Sequence, residues 1–410
     1  MKKNVIVGQS GGPTSVINSS LAGVFKAARD LGAGKILGMC HGIQGLLDEK
    51  TIDLTKYITS DLDLELLKRT PASYLGACRF KLPEIDANKE MYEKIFSILE
   101  KLEVGYFFYI GGNDSMDTTR KLSDYAKMTG SDIKFMGVPK TIDNDLMGLD
   151  HAPGFGSAAK YIATSVKEVI RDGIAQAYNS KLVIVIEVMG RNAGWLTAAS
   201  ALAKGEDCCG PDMIFVPEVA FDMDFFMNKL DAILKTKDCV CIVVSEGIHL
   251  EDGTYVCEMG SSVDYVDSFG HKQLTSTASF LANHIAATHG CKTRAIEFST
   301  LQRGAAHMAS LVDINEAFTV GEVAVEAAMN GETGKVVKLE RVSNDPYGCT
   351  TGLLDASTVS NAEKMVPVEW LDLENANVKP EFIEYARPLI QGELTDIMVG
   401  GIPRHLPSWE

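Results

Sequence analysis

Apolar and polar positions along this 410-residue chain fall into two alternating patterns. Short runs rich in Val, Ile, Phe and Tyr recur at Asn4–Val7, Lys35–Met39, Tyr106–Ile110, Lys134–Val138, Leu182–Val188, Met213–Val216, Cys239–Ser245, Arg294–Phe298 and Val336–Leu339. Apolar runs of this length predict strands buried on both faces. Between them the apolar residues repeat with a helical period. Ser15–Arg29 puts Val16, Ile17, Leu21, Val24, Phe25 and Ala28 on one face, and Ala158–Arg171 does the same with Ile162, Val166, Val169 and Ile170. Strand and helix in alternation predict an α/β fold with mostly parallel sheets covered by helices. No internal repeat and no low-complexity linker interrupts the pattern, so at this length about two domains are expected, built from interleaved segments.

Composition narrows the partners. With 46% hydrophobic and 23% charged residues, disordered, collagen-like and coiled-coil readings have no basis. Lys and Arg number 39 against 55 Asp and Glu, a net charge of −16. Nucleic acid and anionic membrane are therefore excluded as main partners, since either needs a basic surface. The nine cysteines are odd in number, include no Cys-x-x-Cys and sit mostly in apolar runs such as Cys239-Val240-Cys241. A reducing compartment is expected. The stretch after Met1-Lys2-Lys3 is too short for a signal peptide, and no run reaches the roughly 18 apolar residues of a membrane span. The expected location is cytoplasmic.

Ligands of an open α/β sheet bind beyond the carboxyl ends of its strands, so the loops there carry the candidate chemistry. After the first strand comes Gly8-Gln9-Ser10-Gly11-Gly12-Pro13-Thr14. Its paired glycines suit the approach of backbone N–H groups to a phosphate, and suit a tight β-to-α turn equally well. It has neither the ending of a P-loop nor the glycine pattern of a dinucleotide site. Gly111-Gly112-Asn113-Asp114-Ser115 adds oxygen ligands fit for a hard cation such as Mg²⁺, while helix capping would explain the same residues. Pro139-Lys140-Thr141-Ile142-Asp143-Asn144-Asp145 sets a cation, a hydroxyl and two carboxylates directly after a strand. Phosphoryl transfer needs such a set: positive charge on the moving oxygens, a donor, a base for the attacking hydroxyl and an oxygen for the metal. An Asx-rich turn accounts for the Asn and Asp there but not for Lys140. Met189-Gly190-Arg191-Asn192-Ala193-Gly194 offers an arginine able to clamp a phosphate with two prongs. Ser245-Glu246-Gly247 closes another strand, and Arg294 and Arg303 flank Ala295–Gln302. For each arginine, simple solvation is the alternative.

Together these residues resemble the phosphofructokinase family over most of residues 4–310. The resemblance rests on Gly11-Gly12, Gly76-Ala77-Cys78-Arg79-Phe80, Gly111 to Ser115, Pro139 to Asp145, Met189-Gly190-Arg191, Ser245-Glu246-Gly247 and Gln302-Arg303-Gly304, in the family's order and spacing. It implies two Rossmann-like three-layer αβα domains with mostly parallel sheets and the active site in the cleft between them. Residues 1–138 with part of 255–305 would form the phosphoryl-donor domain. Residues 139–254 with part of 306–410 would form the sugar-phosphate domain and a C-terminal extension. ATP-using relatives have glycine at the positions of Asp114 and Lys140, so the chain resembles the pyrophosphate-dependent branch. A charged side chain at 114 would fill the space of a nucleotide's innermost phosphate, and Lys140 would meet the pyrophosphate. The implied reaction is reversible transfer from pyrophosphate to the 1-hydroxyl of fructose 6-phosphate, giving fructose 1,6-bisphosphate and phosphate.

Carried over by residue, the resemblance makes Asp143 the base, with Lys140, Thr141 and Arg191 around the moving phosphoryl group and Asp114 beside it. Gly11, Gly12, Arg79, Gly111, Gly112 and Ser115 would hold the donor. Thr141, Asp143, Met189, Gly190, Arg191, Glu246, Arg294 and Arg303 would hold the sugar phosphate, with Arg303 on its 6-phosphate. Asn113 and Asp145 would hold Mg²⁺. A homo-oligomer, dimer at least, is implied, in which Arg294 reaches a neighbouring subunit's site. Three positions depart from the family: Asn113 stands for its aspartate, Leu182 beside Lys181 for a second intersubunit arginine, and Thr300 for an aromatic or imidazole residue. Residues from about 325 to 410 read as extra helices and loops. The rivals are an ATP-dependent enzyme, sedoheptulose 7-phosphate as acceptor, a non-catalytic subunit, and a nicotinamide-dependent dehydrogenase.

Overall fold

The computed structural model describes residues 2–260, 276–360 and 363–409. Its two main sheets are built from β1 (Asn4–Gln9), β2 (Ile36–Met39), β3 (Thr51–Asp53), β4 (Val104–Gly111), β5 (Lys134–Pro139), β6 (Leu182–Val188), β7 (Met213–Phe215), β8 (Cys239–Ser245), β9 (Lys292–Glu297), β10 (Lys335–Asn344) and β11 (Tyr347–Asp355). Every apolar run read from the sequence is a strand, and the two periodic segments are the helices Ile17–Asp30 and Phe155–Gln176. The chain divides into two units.

The first unit comprises the described residues up to Ala158, Arg303–Lys364 and those from Pro388 onward. Its sheet runs in the order β11-β10-β5-β4-β1-β2-β3. β1, β2, β4, β5 and β10 are mutually parallel, and the two edge strands are antiparallel to their neighbours. Alternate residues enter opposite cores: Val5, Val7, Phe108, Ile110, Met136 and Val138 one, Ile6, Phe107, Tyr109 and Phe135 the other. With both faces covered, the strands show no polar alternation. The helix Ile17–Asp30 lies against the helix Leu311–Met329 at two glycines. A Cβ on Gly23 would fall 2.0 Å from Phe318 O, and one on Gly321 would fall 2.2 Å from Ser20 O. Only glycine allows the two backbones to come this close.

The second unit comprises Ala159–Gln302 and Met365–Arg387. Its sheet runs β7-β8-β6-β9, all parallel. Val183, Val185, Val240, Ile242 and Val244 pack there with Phe226, Leu281 and Ile285. β9 is an edge strand whose residues stay largely in solvent. Among the described residues no helix is long and apolar enough to cross a membrane.

The division corrects the expected domain bounds. Residues 139–158 stay in the first unit because the chain after β5 remains tied to that sheet, Lys140 N donating to Gly111 O and Thr141 bridging to Gly154. Residues 306–364 join it because Leu311–Met329 packs on Ile17–Asp30 and β10 pairs with β5. Residues 276–302 fall in the second unit, where β9 pairs with β6. Residues 261–275 of that expected segment lie outside the described residues. Beyond 325 the chain forms the hairpin β10–β11 at the first sheet's edge rather than helices and loops alone.

Candidate active site

In the first sheet β2 lies on one side of β1 and β4 on the other, so the strand order reverses at β1. The loops after β1, β4 and β5 therefore emerge side by side at a switch point. Ser10 N donates to Ile110 O at 2.9 Å and Lys140 N to Gly111 O at 3.0 Å, tying the three loops together. Gly11 has φ +74, a left-handed conformation that glycine adopts freely. Lys140 is 3% exposed. Its Nζ donates to Gly12 O at 2.6 Å and lies 3.4 Å from where a Cβ on Gly11 would sit. Arg303 Nη1 lies 3.1 Å from the corresponding point on Gly12. A side chain at either glycine would crowd one of the two cations. Burial lowers Lys140 to about 8, with Asp143 and Asp145 opposing and Arg303 reinforcing. Arg303, expected on the sugar's 6-phosphate, thus stands in the first unit with Gly12 and Lys140.

The helix Asn113–Thr129 has Gly112 at its N-cap and no side-chain cap. Asn113, Asp114 and Ser115 form its first turn, so the capping alternative does not describe them. Gly111 leaves no room for a side chain, since a Cβ there would meet Ser115 Oγ at 2.0 Å. Asp114 is exposed and Ser115 buried. Asn113 Nδ2 donates to Asp145 Oδ2 at 3.2 Å. The other oxygens of this pair, Asn113 Oδ1 and Asp145 Oδ1, are buried without a hydrogen-bond partner. Burial raises the Asp145 carboxyl, against a hydrogen bond from Thr141. Two buried hard oxygens with unused lone pairs fit a Mg²⁺ ion.

In the third loop Thr141 N donates to Pro153 O at 3.1 Å, and Asp143 N donates to Thr141 Oγ1 at 3.0 Å. Asn144 is fully buried, has φ +55 and accepts from Ala152 N at 2.9 Å through Oδ1. Asn144 thus has a structural role, through a bond that reaches eight residues along the chain rather than through an Asx turn. Arg79 belongs to the same unit and is exposed.

In the second sheet β6 lies between β8 and β9, a second reversal of strand order. Ser245 Oγ donates to Gly190 O at 2.6 Å, and Gly190 N donates to Glu246 Oε1 at 3.4 Å. A Cβ on Gly247 would fall 1.8 Å from Arg191 O. Met189, Gly190, Arg191 and Glu246 are thus brought together. Arg294 is exposed on β9, paired with Asp172 at 3.1 Å and hydrogen-bonded to Gln176 of its own chain. Lys181 is paired with Asp238 at 2.8 Å, and Leu182 beside it is buried. Thr300 is exposed.

Two residues of the second site, Glu218 and Glu187, escaped the sequence reading, and Gln302 entered it only as part of the Gln302-Arg303-Gly304 motif, without a role. Gln302 accepts from Met189 N at 3.3 Å. Glu218 Oε1 accepts from Gly194 N at 2.8 Å and Val366 N at 2.9 Å. Glu187 accepts from Ala278 N at 3.0 Å and Ser276 Oγ at 3.2 Å, and burial raises it to about 7, Glu297 and Glu246 adding to the effect. A lone glutamate inside an apolar strand was the available signal for Glu187. Glu218 acts on backbone far away in sequence and carried none, while Gln302 was marked by its motif but not by its bond to Met189.

Cations, carboxylates and unpaired hard oxygens at the carboxyl ends of parallel strands define an α/β protein built to handle phosphates. A family profile described as phosphofructokinase matches residues 4–328, and the chain belongs to the phosphofructokinase family. A pyrophosphate–fructose 6-phosphate 1-phosphotransferase from Halomonas elongata is 39% identical over 403 residues, covering 98% of this chain and 95% of that protein. The protein of the same name from Xanthomonas campestris is also 39% identical, covering 99% of each chain. The crystal structure of a pyrophosphate-dependent phosphofructokinase from Nitrosospira multiformis matches with a TM-score of 0.88 at 37% identity, over 98% of this chain and 95% of that one.

Proposed function

We propose that the protein transfers a phosphoryl group reversibly from pyrophosphate to the 1-hydroxyl of fructose 6-phosphate. The observation that carries this reading is Lys140, whose buried ammonium closes over the Gly11–Gly12 loop. Together with Arg303 it makes a compact anion site. Asp114, at the first turn of the neighbouring helix, puts a negative side chain where a longer nucleotide would need room.

Gly11, Gly12, Gly111, Gly112, Ser115 and Arg79 bind the pyrophosphate. Asp143 accepts the proton of the sugar 1-hydroxyl as that oxygen attacks the nearer phosphorus, and the bridging P–O bond breaks to release the farther phosphate. Lys140, Thr141 and Arg191 offset the charge of the moving phosphoryl group by fixed electrostatics. Met189, Gly190 and Glu246 orient the sugar, and Arg303 neutralises phosphate charge beside Lys140. Mg²⁺ would be held by Asn113 and Asp145 and would supply positive charge to the pyrophosphate oxygens. The protein works in the cytoplasm as a homo-oligomer, in which Arg294 exchanges its own Asp172 for a neighbouring subunit's site.

The test is fructose 1,6-bisphosphate formation with fructose 6-phosphate, Mg²⁺ and either pyrophosphate or ATP. Product with pyrophosphate alone is expected. Product with ATP alone would refute the roles of Lys140 and Asp114, and no product with either would refute the acceptor or the activity itself.

A further inference from the structure

The loop that carries Asp143 and Asp145 has no regular structure of its own. From Thr141 to Gly154 the chain forms neither helix nor strand, with left-handed turns at Asn144 and Gly148. Such a loop holds a base in place only if something outside it supplies the hydrogen bonds that a sheet or helix would. Many of those bonds come from residues far along the chain. Lys364 N donates to Asp145 O at 2.7 Å. Its Nζ donates to Asp150 O at 2.6 Å and to Leu149 O at 3.2 Å. Leu146 bridges to Glu363, and Asp150 N donates to Leu339 O on β10 at 3.0 Å.

Side chains complete the attachment. Asp150 Oδ2 accepts from Arg341 Nε at 3.1 Å and Nη2 at 3.0 Å, and pairs with His151 Nδ1 at 2.7 Å. His151 is fully enclosed, and its Nε2 pairs with Glu316 Oε2 at 2.6 Å. Tyr347 donates to Glu316 Oε1 at 2.6 Å. Burial opposes charge on His151, but Asp150 and Glu316 outweigh it and raise the ring above its usual range. The His151 ring between two carboxylates thus links the loop to the helix Leu311–Met329, and Arg341 links it to the hairpin β10–β11.

We propose that residues beyond Arg303 form a brace for the transfer loop, and that Lys364 and Arg341 are positioning residues that hold Asp143 and Asp145 in their working geometry. This rests on reading that loop as the place of phosphoryl transfer. Neither residue need touch substrate, so their loss should slow the chemical step and leave binding alone. A displacement of about 1 Å at a reacting group suffices for a loss on the order of 100-fold.

The experiment compares the intact protein with Lys364→Met. Expected is a kcat lower by about 10- to 100-fold, with KM for both substrates unchanged within about twofold. Hydrogen exchange at the amides of Asp150 and Ala152 should be faster than in the parent. Parental kcat would overturn the proposal, and so would parental exchange at those amides or a kcat loss fully matched by loss of folded protein. Should Lys364→Met fail to fold, Arg341→Gln, which removes the paired bonds to Asp150 from a partly solvated site, carries the same expectations. The exchange measurement needs no turnover. A parent inactive with pyrophosphate would count against the proposed function, and exchange alone would then decide the brace.

Discussion

Replacing Lys140 by methionine separates what the amine does to the fold from what it does for the reaction. Burial lowers its pKa from 10.5 to about 8, a penalty on the ammonium of about 3 kcal/mol. Because the folded value lies below the unfolded one, the folded chain binds fewer protons between those two pH values. Stability therefore rises with pH across that window, and below it the penalty is present in full. Methionine fills similar space without that penalty but gives up the charged hydrogen bond to Gly12 O, worth about 1.5 to 3 kcal/mol. The variant should be at least as stable as the parent at pH 7, with a gain of up to about 1.5 kcal/mol. That gain should vanish as the pH approaches 10, where the parent's lysine is neutral in the fold.

Turnover should move the other way, falling by about 10²- to 10³-fold with pyrophosphate as donor. The parent's kcat/KM for pyrophosphate should decline on the alkaline side as Lys140 loses its proton near 8, and the variant should lack that decline. Lys364 is also lowered by burial to about 8, so Lys364→Met is the control, and it should keep the decline. Pyrophosphate's own ionisation is common to all three proteins and cancels in the comparison. Denaturant midpoints at pH 7 and 9.5 and a pH profile of kcat/KM provide the measurements. A variant less stable than the parent at pH 7, yet turning over at the parental rate, would refute the assignment of Lys140 as a buried charge held for the donor.

Asp143→Ser should lower kcat by about 10²- to 10⁴-fold and leave the dissociation constant for fructose 6-phosphate nearly unchanged; a normal rate would remove Asp143 as base. Asp114→Gly combined with Lys140→Gly should open the donor side and yield measurable product with ATP, and an unaltered donor preference would sink the steric argument. Glu187 is raised by burial from 4.5 to about 7, so the folded chain binds more protons across that range and loses stability as pH rises through it. Glu187→Gln should accordingly raise the unfolding midpoint at pH 8 far more than at pH 5, and equal shifts at both would place the carboxyl in solvent.

How much of this was legible in the sequence follows from the range of the interactions. β1, β4 and β6 were readable because strands buried on both faces need continuous apolar runs, a local property. The Gly11–Gly12, Gly111–Ser115 and Lys140–Asp145 loops were readable because their glycines and charged residues come directly after β1, β4 and β5. β11 was missed: its Tyr-Gly-Cys-Thr-Thr-Gly-Leu-Leu-Asp is half-buried and holds two glycines, so neither apolar continuity nor alternation marks it. The domain bounds failed because the joins are long-range. Gly23 and Gly321 meet across nearly 300 residues, and β10 adds to β5; neither pairing leaves a local trace. The neighbourhood of Arg303 shows the same limit, since nothing between Thr300 and Gly304 says that its guanidinium will lie beside Gly12.

The charge balance explains why the site takes this form. A chain with net charge −16 repels a polyanion over most of its surface, so the attraction must come from short-range positive groups in a desolvated setting. In the first unit Lys140 and Arg303 provide it at Gly11–Gly12. Burial, reinforced by the nearby Arg303, depresses the lysine in the empty protein, and an anion bound beside it would favour its charged form. Binding of the anion is then linked to protonation of Lys140, so affinity is greatest where the empty protein already carries that charge and falls as pH rises through about 8. Such an arrangement also demands a loop that does not yield to the repulsion, and the bonds from Lys364 to Asp145 and Leu149 and from Arg341 to Asp150 tie down the part of the loop that follows Lys140.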